Sequence, residues 1–256
     1  MKGSRLSTLK YFSGDNPRIF AHRGLAHPVS NWSENTIGAF RAALRAGATH
    51  LETDVRASSD GVAVLFHDAS LTRLGDSSQK VSETQIRDLQ KVKLPPQGQI
   101  PSLAEALEAL PNARFNLDIK SDDAVLPAVS VIEQLDAHDR VLVSSFSERR
   151  RLATLELLSR PVATSAGSRK VVASYISAIS GLPWLVERLL SDVDALQLPT
   201  KMRGLNFTNP RFIEAVIRAK CEIHYWTIND SIEMNQLIQM GATGIVTDRS
   251  DLLGVS

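Results

Sequence analysis

The chain has 256 residues, with 29 Lys plus Arg against 28 Asp plus Glu and a formal net charge of +1, which excludes an electrostatic case for nucleic acid as the main partner. With 43% hydrophobic and 22% charged residues, the composition is that of an ordinary folded domain and not of a disordered chain. The single cysteine, Cys221, excludes an internal disulfide framework and fits a reducing compartment.

No run approaches the roughly 18 apolar residues that would cross a membrane. The N-terminal stretch carries Lys2, Arg5 and Lys10 but lacks the unbroken apolar core of a signal peptide. The expectation is a soluble, cytoplasmic protein without stable membrane association. Its oligomeric state is not encoded in any readable pattern.

In chain order, Ile19-Phe20-Ala21 leads a strand, and residues 33–47 read as a helix with Ser33 or Asn35 as cap and Gly47 as stop. Segments 50–55 and 62–66 read as short strands or a hairpin turning at Asp60-Gly61. Residues 70–101 are polar and proline-punctuated, an excursion with one short helix near 82–89. Strands are then expected at 113–120, 140–146, 161–166, 194–199, 222–228 and 244–248. Helices are expected at 102–110, 123–137, 147–158, 170–190, 209–219 and 231–240. Parallel strands separated by helices need right-handed crossovers. Eight βα units of about 32 residues favour an α/β TIM (β/α)8 barrel with a small insertion after the second strand, one domain over 1–256. An open doubly wound sheet is the structural alternative. Residues 1–17 are expected to cover the barrel floor.

The chemistry concentrates at strand ends. His22-Arg23-Gly24 follows the first strand: a histidine able to move protons near neutral pH and an arginine able to clamp an anion. The alternative is a His–Arg pair satisfied by neighbouring carboxylates. In the next strand Glu52 and Asp54 are two residues apart and project to the same side. Crowded carboxylates need a cation, a shared proton or basic partners, and their hard oxygens suit Mg²⁺ or Ca²⁺. Asn116, Asp118 and Lys120 repeat the alternation, so Asp118 could complete a three-carboxylate metal site and Lys120 could serve a phosphate. A buried Asp118–Lys120 salt bridge is the plainer explanation. His67-Asp68 ends the run before the insertion, so His22 and His67 form a possible acid/base pair. Trp226 is either a ligand wall or core, His224 reads as a packed or lining residue and Cys221 as a packing thiol. No Gly-rich nucleotide loop, G-x-S-x-G or H-E-x-x-H occurs.

Taken in order, these motifs resemble the glycerophosphodiester phosphodiesterases, barrels of the phosphatidylinositol-phosphodiesterase-like type. The resemblance spans about residues 18–253. It rests on His22-Arg23-Gly24, Glu34-Asn35-Thr36, Glu52-x-Asp54, His67-Asp68 with Leu71 and Arg73, and Ile100-Pro101-Ser102-Leu103. It continues through Asn116-Leu117-Asp118-Ile119-Lys120, Ser145-Phe146, Trp226-Thr227-Ile228-Asn229 and Gly244-Ile245-Val246-Thr247-Asp248. The resemblance implies one divalent metal (Mg²⁺ or Ca²⁺, with Mn²⁺ admissible) on Glu52, Asp54 and Asp118. It further implies His22 and His67 as acid and base, and Arg23 and Lys120 on phosphate, with Trp226 read beside them as a substrate contact. The implied reaction turns a small-molecule glycerophosphodiester into sn-glycerol 3-phosphate and an alcohol. Three positions depart from the family pattern. Asp118 stands where glutamate is usual, Ser33 where proline often precedes Glu-Asn-Thr, and Arg249 follows Thr247-Asp248 where proline is common. Competing readings on the same barrel are a lysophospholipase D or specialised phosphodiesterase, and a non-catalytic phosphate-ligand binding module.

Overall fold

The computed structural model describes residues 9–252. Its strands are β1 (Arg18–His22), β2 (His50–Ala57), β3 (Ala63–Leu65), β4 (Phe115–Ile119), β5 (Val141–Ser144), β6 (Ala163–Thr164), β7 (Ala195–Leu198), β8 (Lys201–Met202), β9 (Leu205–Asn206), β10 (Glu222–Tyr225) and β11 (Gly244–Thr247). Its α-helices are α1 (Ile37–Arg45), α2 (Ile86–Leu89), α3 (Leu103–Ala109), α4 (Val125–Gln134), α5 (Glu148–Leu157), α6 (Ser168–Ile179), α7 (Pro183–Leu189), α8 (Pro210–Arg218) and α9 (Ser231–Gln239).

Among the described residues the parallel strands run in the order β6-β5-β4-β2-β1-β11-β10-β7. The two ends of that row meet at a single bridge, Ser165 to Ala195, which completes the expected TIM barrel. β3 lies outside the ring, paired antiparallel to the end of β2 through Val55–Leu65, Arg56–Val64 and Ala57–Ala63, so segments 50–55 and 62–66 do form a hairpin. The insertion leaves from β3 and has its own small core of Val64, Phe66, Leu71, Val81, Leu89, Leu94 and Ile100.

Strand alternation sorts the side chains as their period requires. Leu51, Val55, Phe115, Leu117 and Ile119 face outward into the core shared with Phe40, Ala43, Leu107 and Ile132. Glu52, Asp54, Asn116 and Asp118 face the interior cavity. The floor is closed by Tyr11 and Phe12, packed on Phe20, Leu142, Ala163, Ala195 and Val246. The part of the floor expectation that concerns residues 1–8 lies outside the described residues.

Four local expectations shift. Thr36 caps α1, its hydroxyl accepting from the Ala39 amide, while Ser33 and Asn35 lie upstream. The single helix expected over 170–190 is two, because Gly181 turns left-handed (φ +76°) and Pro183 starts a new helix. The excursion's short helix resolves into a 3-10 turn, Val81–Glu83, and α2. The hairpin β8–β9 has no counterpart in the sequence reading.

Candidate active site

At the end of β1 the chain must turn sharply from barrel to helix. Gly24 has φ +81°, and a Cβ there would lie 2.7 Å from the Ala39 carbonyl carbon, so only glycine fits. Arg23 before it is also left-handed (φ 56°), held there by its amide donating to the Glu52 carbonyl at 3.0 Å and to Glu52 Oε2 at 3.1 Å. That bend places His22 and Arg23 over the barrel mouth beside Glu52 and Asp54. A cavity of about 280 Å³ collects His22, Arg23, Glu52, Asp54, His67, Asp118, Lys120 and Trp226, so every side chain the sequence singles out meets in one place.

Both histidines are backed by a carboxylate. His22 Nδ1 lies 2.7 Å from Asp248 Oδ1, and Asp248 in turn accepts from Asn229 Nδ2 at 2.8 Å. An ionised carboxylate only accepts, so Nδ1 carries the proton and Nε2, 4.0 Å from Glu52 Oε2, is the nitrogen left to exchange protons. Burial alone would lower the His22 pKa; the Asp248 hydrogen bond and the field of Glu52 outweigh it and raise it. His67 Nδ1 lies 2.7 Å from Asp68 Oδ1. Arg73, from the insertion, binds Asp68 Oδ2 at 2.6 Å and both oxygens of Glu34. Glu34 also accepts from Arg23 at 3.0 Å. The insertion is thus clasped to the loop before α1, and His67 and Arg23 hang from the two ends of one ion-pair chain.

The carboxylates divide unevenly. Asp54 has Lys120 Nζ at 2.7 Å, Arg23 Nε at 3.2 Å and the Asn35 amide at 2.9 Å, which hold its pKa below the ordinary value against burial. Lys120 also reaches Asp118 Oδ2 at 2.6 Å, so the plainer salt-bridge expectation is realised alongside the pocket position. Asp118 Oδ1 is buried without a partner, and burial keeps its pKa raised. Among the described residues Glu52 has no cationic side chain in ion-pair range except His22, and burial with the charge of Asp54 pushes it up to about 7. Among the described residues no group of three or more His, Cys, Asp and Glu side chains is drawn together as a metal cluster, since Lys120 lies between two of the expected ligands. The donor set nevertheless suits a hard cation: three buried carboxylates, one with an orphaned oxygen and one protonation-prone for want of positive charge.

The pocket is also lined by Phe146, Ala166, Val171, Leu198, Pro199, Met202 and Trp226, with Lys120 Nζ 5.7 Å from the centre of the Phe146 ring. Phe146 is 60% exposed and stands edge-on to Trp226, with ring centroids 6.0 Å apart. Trp226 lines the pocket and also packs, partly buried, against the cluster of Phe20 and Val246. His224 is fully buried inside the barrel and Cys221 is buried among apolar residues, as expected of packing groups.

Sequence reasoning placed Asp248, Asn229, Glu34, Asn35 and Arg73 in the ordered motifs, and Asn35 as a helix cap, but gave none of them a role in the site. A signal for Asp248 is its place, an acidic residue at the C-terminal end of the last barrel strand. The others act through contacts between distant segments, which motif order does not reveal.

Comparison with known proteins places the chain. The model of the Glycerophosphoryl diester phosphodiesterase family matches residues 22–252. The chain is 40% identical over 246 residues to "Probable glycerophosphodiester phosphodiesterase 2" of Mycobacterium tuberculosis, covering 96% of this chain and 92% of that protein. Among solved structures it is similar to a glycerophosphodiester phosphodiesterase from Agrobacterium tumefaciens (TM-score 0.74, 24% identity, 93% of this chain and 97% of that one). It is equally similar to an Oleispira antarctica phosphodiesterase in complex with the product sn-glycerol-3-phosphate (TM-score 0.74, 24% identity, 92% and 94%).

Proposed function

The chain belongs to the glycerophosphoryl diester phosphodiesterase family, and from that premise we propose that it is a metal-dependent hydrolase releasing sn-glycerol 3-phosphate and an alcohol from glycerophosphodiesters, with His22 and His67 exchanging protons. The chain is a glycerophosphodiester phosphodiesterase by its relatives; the metal and the histidine roles are the proposal. The observation that carries it is the pairing of two histidines in one pocket, each with Nδ1 on a carboxylate. Acid/base transfer at a phosphodiester needs one group to take a proton from the attacking hydroxyl and another to give one to the leaving oxygen. Arg23 and Lys120 supply positive charge beside them, suited to the oxygens of a phosphoryl group.

Glu52, Asp54 and Asp118 would hold the divalent ion, which when bound neutralises non-bridging phosphate oxygens and makes an attacking hydroxyl more acidic. Around it Asp248 and Asp68 fix the ring tautomers, and Arg56, donating to the His67 carbonyl at 2.8 Å, steadies the loop that carries His67. The leaving alcohol would lie against the aromatic wall.

A longer apolar alcohol, as in a lysophospholipid, is the second reading, and exposed Phe146 at the mouth favours it. Exposed Ile176, Ile179, Leu182 and Trp184 do not add to it. Ile176 and Ile179 lie in the later half of α6, past the pocket-lining Val171, Leu182 between the two helices and Trp184 in α7. Among the described residues no helix is long and apolar enough to cross a membrane.

The test is release of glycerol 3-phosphate from glycerophosphocholine, glycerophosphoethanolamine and a lysophosphatidylcholine, with Mg²⁺, Ca²⁺, Mn²⁺ or EDTA. Metal-dependent release, lost by about 10²–10⁴-fold in His67→Ala, is expected. Release that survives EDTA or His67→Ala would sink the corresponding part. Preference for the lysolipid selects the second reading. Silence of the wild type on every diester points to the binding module.

A further inference from the structure

Inside the barrel a line of polar side chains runs from floor to mouth. At the floor Arg18 donates to Glu222 through Nε (2.9 Å) and an Nη (2.7 Å). Glu222 Oε2 lies 2.8 Å from His224 Nε2, and His224 Nδ1 lies 3.4 Å from Gln197 Nε2. Gln197 Oε1 accepts from Asn116 Nδ2 and from the Ser165 hydroxyl, each at 3.2 Å.

The links follow in order. Glu222, paired with Arg18, can only accept, so His224 donates through Nε2. Gln197 turns its NH₂ to His224 Nδ1 and its oxygen to Asn116. Asn116 must then give its NH₂ to Gln197, which leaves Oδ1 as the free end of the line. That oxygen is buried and has no hydrogen-bond partner, in a residue only 3% exposed. An unpaired buried amide oxygen is costly, so its orientation is imposed and calls for a partner.

The register says which partner. Asn116 pairs with Glu52 across β2 and β4, and Asp118, two residues on, carries the neighbouring orphaned oxygen on the same face. Every link of the line is hydrogen-bonded except this end, whose neighbours on the same face are Glu52 across the strand pair and Asp118 two residues on. An oxygen facing carboxylate oxygens is stabilised by a cation between them. Asp118 is also a methylene shorter than the glutamate the family pattern has there.

Resting on the metal reading above, we propose that Asn116 is a further oxygen ligand of the divalent ion, lying beside Glu52 and Asp118 and making up the reach that Asp118 lacks, with Gln197 and His224 as its positioning residues.

Calorimetric titration of Mg²⁺, Ca²⁺ and Mn²⁺ into the EDTA-stripped full chain tests this, with melting in EDTA as the folding control. Asn116→Ala is expected to weaken binding at least tenfold while the EDTA melting temperature holds. Adding Asp118→Glu to Asn116→Ala is expected to restore most of the affinity, because the longer carboxylate covers the lost oxygen. Should Asn116→Ala melt early, Asn116→Asp keeps the test alive, since an oxygen at that place is expected to hold affinity within about threefold or tighten it. Wild-type affinity in Asn116→Ala, or tenfold weaker binding in Asn116→Asp, overturns the assignment and leaves the metal reading intact. No binding of any ion by wild type overturns the metal reading, and this with it.

Discussion

At the barrel floor, Glu222 sits in the interior with Arg18 on both its oxygens and His224 on one of them. At the mouth, Glu52 sits in the same interior with no arginine or lysine in ion-pair range, and Asp118 keeps a bare oxygen. Both carboxylates are buried. Burial alone would raise Glu222, but His224 and Arg18 hold it below its ordinary value. Burial and Asp54 push Glu52 up to about 7. The floor uses buried charge to hold strands together, and its charges are matched. The mouth holds charge in an environment that disfavours it, which folding alone does not explain.

The contrast breaks most visibly at Arg18. Arg18→Met strands Glu222 and is expected to cost about 3–5 kcal/mol in chemical denaturation. Glu222→Gln in that background should return part of it, since no charge is then stranded. A loss under about 1 kcal/mol would mean the floor pair is not structural.

At the mouth the sign reverses. Glu222, depressed, stabilises the fold above its unfolded value, and that contribution is lost as pH falls through its folded pKa. Glu52, raised from 4.5 to about 7, does the opposite: the folded state holds the proton longer, so stability declines as pH rises across that window and the loss is complete above it. Glu52→Gln in EDTA is expected to remove that decline and to gain roughly 1–3 kcal/mol above pH 7. The same change should abolish hydrolysis. A variant no more stable than wild type at pH 8 would contradict the strain assigned to Glu52.

The smallest effect separates orientation from folding. Asp248 is half exposed, so Asp248→Asn should leave stability within about 1 kcal/mol. It replaces a group that can only accept with one that can turn an NH₂ to the ring, so the His22 tautomer is no longer fixed and kcat should fall about 10-fold or more with KM little changed. An unaltered kcat would show that His22 needs no such partner.

How much of this was legible follows from distance along the chain. Strand parity is local, so Glu52 with Asp54, and Asn116 with Asp118 and Lys120, could be assigned to one face by period alone. The His22–Asp248 bond spans 226 positions and the Arg73–Glu34 bond 39, and only the closed ring brings those partners together. β6 went further astray: six residues read as strand, two are. Past Thr164 the pairing thins to single bonds, Ser165 to the Val143 carbonyl and Ala166 to the Ala195 carbonyl. Lys120 was placed on the right face, but its preference for two carboxylates over open solvent is a property of the assembled cavity.

The seam where the ring closes has a consequence for motion. β6 is two residues long and meets β7 at one bridge, while β2 and β4 pair along five positions. Protection of a backbone amide scales with the structure that must open to expose it. Amides of residues 163–166 and 194–195 should therefore exchange with deuterium before those of β2 and β4. In ring order this seam lies across from β1 and β2, which carry His22, Glu52 and Asp54. The barrel thus has a stiff half and a pliable half, and an alcohol placed against the aromatic wall, as proposed, would meet the half that can yield.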